Sequence, residues 1–453
     1  MKNKTINKGY ITIIILITIS ITSIILFSFG ALVATQYTIS QRQTAVEQSL
    51  QIAESGLNYY RWHLAHAPND FTSNSNQEIT FNDPQGGAIG KYNIEVIPPQ
   101  SGSTIVTIRS TGWTLLHPEI TRTITATYGK PSMAQYAFLH NSNIWLGSGL
   151  EIFGPIHSNG GIRNDAINHS IVTSSLDTYV CSSDNGCSPN QYKPAIWGSG
   201  SDKDLWNFPQ TPVDFNAISV NFAQMKTAAQ TEGLYLNQSG SWGYHIVLLS
   251  NGNFNVYRVT NASNQKGYDN GCQNLYQGIS NQTLIGTYPQ ASKPIIFAED
   301  TIWVDGTITS PIEIVAARFP IDTNDMDVWI NNNLQYSTLD GSIRAGIIAQ
   351  NNIYFGRNIP NNYTIHGALL AKNGRIMRHN YDYYYCSPSS YAVRNSLTIH
   401  GAIISAQKSY WNWGTSPNSG FENRNITYDT NLKYSPPPYF PTTGEYEFIS
   451  WSE

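Results

Sequence analysis

The sequence predicts an α+β chain: a long N-terminal transmembrane helix, a small antiparallel sheet, and a large all-β domain wound as a parallel β-helix (solenoid) with insertions. Three observations predict it. Residues 10–35 carry no charged side chain, a run of about 25 residues, where about 20 suffice to cross a bilayer as a helix. Three segments between residues 91 and 128 alternate polar with apolar side chains, as half-buried strands do. Finally, Thr364-Ile365-His366-Gly367-Ala368-Leu369-Leu370-Ala371 is echoed by Thr398-Ile399-His400-Gly401-Ala402-Ile403-Ile404-Ser405, the self-similarity of a stacked repeat.

The helix comes first. Lys2, Lys4 and Lys8 precede the apolar run and the next charge is Arg42, so the lysine excess holds the N-terminus in the cytoplasm and exports the rest. The run exceeds the about 7–15 residues of a secretory signal core, and Leu32-Val33-Ala34 is a poor exit site. A simple signal anchor is the plain alternative. Beyond the membrane, residues 41–67 contain no proline and only Gly56. Val46, Leu50, Ala53, Leu57, Tyr60 and Leu64 form a stripe at spacings of four and three, with Gln43, Glu47, Gln51, Glu54 and Asn58 on other faces. Pro68 and Asn69 end the pattern. One helix of about 55 residues is expected over 10–67; a coiled-coil stalk would show the same periodicity.

Lys8-Gly9-Tyr10 before such a helix resembles the prepilin cleavage site of type IV pilins and pseudopilins. Ala53-Glu54-Ser55-Gly56-Leu57 resembles the Ala-Glu-x-Gly-Leu stretch of PilX-type minor pilins and related pilus-assembly proteins. The resemblance implies a leader at 1–9 removed by a prepilin peptidase between Gly9 and Tyr10, and packing with other pilin-like subunits through the helix. It also implies a carboxylate at the fifth mature position, where this chain has Ile14. A carboxylate there would pair with a neighbouring subunit's N-terminal amine, since a charge buried without a partner is costly. Lacking it, the chain reads as a minor or tip subunit, or as a protein that stays in the inner membrane.

A small pilin-like antiparallel β-unit is expected at 70–130, with strands at Lys91-Tyr92-Asn93-Ile94-Glu95-Val96, at 104–109 and at 120–128, where Ile124, Ala126 and Tyr128 face opposite Thr123, Thr125 and Thr127. Residues 131–453 follow as the β-solenoid. Gly346-Ile347-Ile348-Ala349 and Gly154-Pro155-Ile156-His157-Ser158 are weaker copies of the repeat, and 346 to 367 is one step of about 21 residues. Asn143-Ile144-Trp145-Leu146-Gly147 matches Thr301-Ile302-Trp303-Val304-Asp305, and Asn352-Ile353-Tyr354-Phe355-Gly356 belongs with them. Insertions are expected at about 165–290, with a helix over 215–231 and hairpin strands over 244–259, and at about 377–395, with Tyr381, Tyr383, Tyr384 and Tyr385. They either form a binding side or cap exposed edges. The proline-rich tail, Pro436-Pro437-Pro438-Tyr439-Phe440-Pro441 to Ile449-Ser450-Trp451, is expected to run over the solenoid or cap its end.

The net charge of −4 and 12% charged residues give no footing for nucleic-acid binding. Four cysteines suit an exported chain. Cys181 and Cys187 enclose a turn-rich loop and favour a local disulfide; Cys272 and Cys386 can pair across the fold, though spacing does not settle connectivity. A zinc site is the weaker alternative. His157, His366 and His400 read as a polar ladder before a metal site. Asp322, Asn324, Asp325 and Asp327 offer oxygen ligands to calcium without the glycine and distal glutamate of an EF-hand; a solvated loop is the alternative, and no other cofactor is expected. Tyr410, Trp411 and Trp413 are glycan-binding candidates, with burial against the solenoid as the alternative. Glu299, Asp300, Asp305 and Glu313 show no pairing of the kind glycoside hydrolysis needs, and no nucleophile elbow, phosphate loop or zinc-protease motif is present. The chain therefore reads as a structural and interaction protein presenting its head to a surface, glycan or partner. A membrane-anchored solenoid adhesin or scaffold comes second and a polysaccharide-active enzyme third.

Overall fold

The computed structural model describes residues 8–100, 102–382, 386, 391–414 and 418–453, except for the side chains of residues 8, 9, 217–220 and 322. The leader residues 1–7 and Tyr383, Tyr384 and Tyr385 lie outside this description. The chain divides into two compact units. The first comprises the residues up to Pro98, with Val106–Tyr128 and Tyr446–Glu453; the second comprises Pro99–Ile105 and Gly129–Glu445.

In the first unit one helix runs unbroken over Lys8–His66, 59 residues, about 90 Å at 1.5 Å per residue. It is long and apolar enough to cross a membrane by length and composition. Its first half keeps its large side chains exposed, Phe27 to 81%. The second half buries Ala45, Ser49, Ile52, Ala53, Leu57, Tyr60 and Leu64, while Val46 and Leu50 are only half-buried, so the packed stripe is rotated from the one read in sequence. It packs on Ile94, Val106, Ile108, Ile124 and Ala126. These come from a five-stranded sheet ordered Glu78–Asn82, Ala88–Ile97, Ile105–Thr114, Thr121–Gly129, Glu447–Ser452. Helix and sheet approach closely because two glycines lie between them. A Cβ at Gly112 would collide with the backbone at Ser49 and Ala53, and one at Gly56 with the Ser110 side chain. That is a physical reason for the glycine in Ala53-Glu54-Ser55-Gly56-Leu57.

The last strand is a correction. The tail carrying Ile449-Ser450-Trp451 does not run over the β-domain; it pairs beside Thr121–Gly129. Thr127 Oγ1 meets Ser450 Oγ at 2.6 Å, and Arg122 meets Glu453 at 3.4 Å. The four prolines, Pro436, Pro437, Pro438 and Pro441, stop short of this strand, so they leave its ladder intact. The 317 residues between Gly129 and Glu445 are thus inserted in chain order between two neighbouring strands of one sheet.

The second unit is β-rich, and most of its pairings are parallel, consistent with a β-helix. Among the described residues the strands form three ladders. The first stacks Leu234–Leu236, Ile295–Ala298, Ile312–Ala316, Ala345–Ala349, the ends of Asn362–Ala371 and Val393–Ser405, then Phe138–His140, Ile156–Ser158, Val172–Ser174 and Trp206–Asn207. This order is not chain order. The chain enters mid-stack at Phe138, winds to one end at Asn207, and passes through a helix at Ala217–Thr231. It re-enters at the opposite end at Leu234 and winds back until Ile403 and Ile404 pair with Phe138 and Leu139. The two halves meet at a seam.

The first ladder is buried on both sides, which explains its continuous apolar runs. Ile296, Ile314, Ile347, Leu369 and Ile403 face the interior, while Phe297, Val315, Ile348, Leu370 and Ile404 face outward under Phe222, Met225, Leu432 and Phe440. The tandem repeat lies in register, His366 opposite His400 and Gly367 opposite Gly401. Both glycines turn a corner at positive φ, 133° and 153°, a conformation side chains disfavour. The weaker copy is offset by one: Gly346 lies opposite Ala368.

The expected insertion at 165–290 is narrower than read. Ile167–Asn168, Val172–Ser174, Ile196–Trp197 and Trp206–Asn207 are ladder strands. What projects is the hairpin Thr178–Cys181 with Gln191–Pro194, the helix, and the antiparallel strands Asn253–Ser263 and Gly278–Pro289, joined through Asn253–Ser263 to the ladder strand Gly243–Leu248.

Candidate functional site

The second ladder contains the site. One half contributes Gly243–Leu248, Ile302–Ile308, Val328–Ile330, Ile353–Phe355, Ile376–Met377 and a bridge to Tyr410. The other contributes Ile144–Leu146, Ile162–Asn164 and Ile196–Trp197. Among the described residues no strand pairing joins Tyr410 to Ile144–Leu146. The third ladder stacks Leu334–Tyr336, the starts of Asn362–Ala371 and Val393–Ser405, then Gly420–Tyr428, Leu150–Phe153 and Ile167–Asn168. The seam is closed on the first ladder, and on the third by Arg424 to Thr427 lying against Leu150 to Phe153. On the second it opens into a groove of about 910 Å³.

An outward column of large side chains runs up to the groove from both sides: Trp303, Trp329, Tyr354, Met377 and Tyr410 from one half, then Trp145, Arg163 and Trp197 from the other. Most are covered. Trp303 is 2% exposed and donates Nε1–H to the Gln277 carbonyl at 2.8 Å. Trp145, its counterpart in the sequence repeat, is 38% exposed and lines the groove.

Trp145 is held rigidly. Its Nε1–H donates to Asp165 Oδ2 at 2.8 Å, Arg163 Nε donates to the same oxygen at 2.7 Å, and the guanidinium lies 4.0 Å from the indole centroid. Burial opposes ionisation of Asp165, but donors from Ser199, Trp145 and Arg163 outweigh it and hold its carboxyl below the usual range. On the opposite wall the Lys408 ammonium donates to the Asp184 carbonyl and to Asn185 Oδ1. Burial lowers it to about 8. Arg424 donates from Nη2 to Ser148 O at 2.8 Å, while its Nε is buried without a partner. His140 is buried in the floor with no partner for Nδ1, and burial pushes it down to about 3, so it is neutral.

The aromatic cluster read in sequence reaches this groove only in part. Tyr410 lines it, tied by its hydroxyl to Asp269 at 2.6 Å and by Arg375 at 2.8 Å. Trp411 is 5% exposed and packs inward beside Phe138 and Phe355, so its main role is burial. Trp413 donates to Arg378 O at 3.0 Å and stands edge-on to Tyr410. Trp145 was legible only as a repeat position; that its cover is missing is a property of the seam.

The four cysteines form two disulfides, Cys181–Cys187 and Cys272–Cys386. The first closes the loop that Lys408 reaches. Among the described residues the calcium candidates form no metal-ligand group. Asp327 accepts from Asn352 N at 2.9 Å and burial raises it to about 6, Asn324 donates to Pro320 O, and Asp325 is exposed; the side chain of Asp322 lies outside the described residues. Among the described residues no three His, Cys, Asp or Glu side chains group as metal ligands. His366 and His400 contact edge-on at 5.7 Å, whereas His157 bonds separately to Thr173 and Asn159. Glu299 pairs with Lys226, Asp300 accepts from Ser239, Asp305 meets His245 at 3.0 Å, and Glu313 is fully buried. Tyr10, at the proposed leader junction, and Ile14 are both exposed on the long helix.

No protein-family model matches the chain, and no curated protein matches it. Among solved structures it is similar to the competence-associated pilin ComZ from Thermus thermophilus, at 12% identity over 90% of this chain and 97% of that one, with a TM-score of 0.30.

Proposed function

We propose that this chain is a minor or tip subunit of a type IV pilus-like or type II secretion-like filament, with its β-solenoid head presented for surface, glycan or partner binding. The observation that carries this reading is the single helix Lys8–His66, bare over its apolar half and sheet-packed over its second half through Gly56 and Gly112. An apolar helix side left bare by its own fold can be covered by lipid and, after extraction, by neighbouring helices. Lys8-Gly9-Tyr10 supplies the release point for a prepilin peptidase. Ile14 supports a terminal or sparse position, since the chain brings no carboxylate for a neighbour's amine. The head acts by binding and not by catalysis; the scattered carboxylates, three held by their own neighbours and Glu313 fully buried, favour this.

Ile14 also supports the second reading, a membrane-anchored surface adhesin or scaffold. Mass spectrometry of the chain from cells that make a prepilin peptidase separates the two. A mature N-terminus at Tyr10 is expected; an intact Met1 or a cut near Ala34 overturns the filament reading.

A further inference from the structure

The seam groove has the chemistry of a saccharide site with a preference for acid groups. Trp145 is 38% exposed; the Arg163 guanidinium lies 4.0 Å from its ring centroid and one hydrogen bond to Asp165 holds it, so the exposed part of the indole is the apolar surface a ligand meets. Rigid aromatic surfaces bind with little loss of rotamer entropy. Polar side chains line the groove around it, Asp165, Ser199, Ser409 and Asn412, each also hydrogen-bonded within the protein. A ring with one apolar face and a rim of hydroxyls fits that arrangement; an apolar peptide does not. The volume of about 910 Å³ is near the top of the about 300–1,000 Å³ of ligand clefts, room for several sugar units.

The charges choose among saccharides. Arg163 is neutralised by Asp165. Among the described residues, Lys408 and Arg424 have no carboxylate within ion-pair distance; their partners are carbonyl and amide oxygens. Glu422 is the one other acid in the lining, so the groove holds one cation in excess. Arg424 lines the groove and its Nη2 has only a neutral carbonyl oxygen as partner, and a charge-assisted bond from guanidinium to carboxylate is among the stronger polar contacts. From these observations we infer that the groove between Tyr410 and Trp145 binds a carboxylate-bearing oligosaccharide, a sugar ring lying on Trp145 and an acid group meeting Arg424 and Lys408.

This deepens the binding role of the head and is independent of filament entry, because the groove lies wholly within the second unit. The test uses the full chain in detergent, titrated by tryptophan fluorescence and calorimetry. The probes are tetrasaccharides of polygalacturonate, alginate and hyaluronate, with cellotetraose and maltotetraose as neutral counterparts and duplex DNA as a polyanion without the saccharide chemistry. At least one uronate tetrasaccharide is expected to bind at least about tenfold more tightly than the neutral probes. Trp145→Ala weakens that binding by about tenfold or more and Trp145→Phe retains most of it, a contrast that misfolding does not produce. Arg424→Gln lowers the uronate-to-neutral ratio toward one. No uronate binding at millimolar concentration, equal binding of neutral probes, binding unmoved by Trp145→Ala, or equal competition by DNA each overturns the assignment. None of these outcomes bears on whether Tyr10 is the mature N-terminus.

Discussion

The ammonium of Lys408 donates to the main-chain oxygen of Asp184, and the two residues belong to opposite halves of the parallel stack. Asp184 sits in the loop closed by Cys181 and Cys187, which belongs to the half that begins at Phe138; Lys408 belongs to the half that ends at the seam. Where the second ladder has no strand pairing among the described residues, a lysine and a disulfide-closed loop bridge the gap, and the groove opens beside them.

The two disulfides are expected to contribute unequally. Loop-closure entropy assigns about 2 kcal/mol to the Cys181–Cys187 bridge and about 5 kcal/mol to the Cys272–Cys386 bridge, whose sequence separations are 6 and 114. Guanidinium unfolding of the two double-serine variants should show the larger fall in midpoint for Cys272→Ser/Cys386→Ser. The reverse order would mean that the short loop acts through the seam and not through the unfolded chain.

Gly112 is expected to tolerate no side chain. Gly112→Ala places a methyl against the backbone at Ser49 and Ala53, and overpacking of this kind costs about 1–3 kcal/mol. Limited proteolysis in detergent should then cut the first unit faster, with the second unit's fragments unchanged. Equal cleavage rates would show that the helix does not depend on this contact.

His140 makes stability pH-dependent in a stated direction. Its folded value is about 3 against an ordinary 6.5, because burial disfavours the charged ring. Between these values the unfolded chain binds a proton that the folded chain does not, so stability falls as pH drops below about 6.5. Glu313, raised by burial, and Asp327, raised to about 6, act in the opposite sense, so the comparison must be with a variant. His140→Phe should lose about 2–3 kcal/mol less than the wild type between pH 7 and 4.5. Parallel losses by chemical denaturation would place the ring in contact with water.

Uronate binding in the groove should weaken above about pH 8, where Lys408 gives up its proton. Burial is the main cause of its low value. The Asp184 charge partly offsets it, Arg163 and Arg375 add to it, and Arg424 and Glu422 share the lining. Calorimetric titrations at pH 6.5 and 9 should differ by several-fold, and Lys408→Met should abolish the difference. A pH-independent affinity would remove Lys408 from the site.

Much of the architecture is legible because local chemistry dictates it. An uncharged run of about 25 residues has only one economical backbone conformation in a membrane. The Thr-Ile-His-Gly-Ala repeat stacks in register because Gly367 and Gly401 turn the same corner and the residues after them are apolar on both sides. The strand at Glu447–Ser452 was not legible, since Phe448 and Trp451 remain exposed and the segment lies more than 300 residues from its neighbour in the sheet. Trp145 and Trp303 occupy the same repeat position, yet only the fold distinguishes the open one from the covered one.

The sequence by itself determined the long helix, the mid-chain strands and the repeated strands of the second unit, each set by the spacing of neighbouring side chains. Only the tertiary structure decided that these strands stack in parallel out of chain order, that the C-terminus joins the first sheet, and that a groove opens between Tyr410 and Trp145. Periodicity specifies which face of a segment is buried, but not which distant segment buries it. That choice depends on matching surfaces hundreds of residues apart, and no local pattern records it.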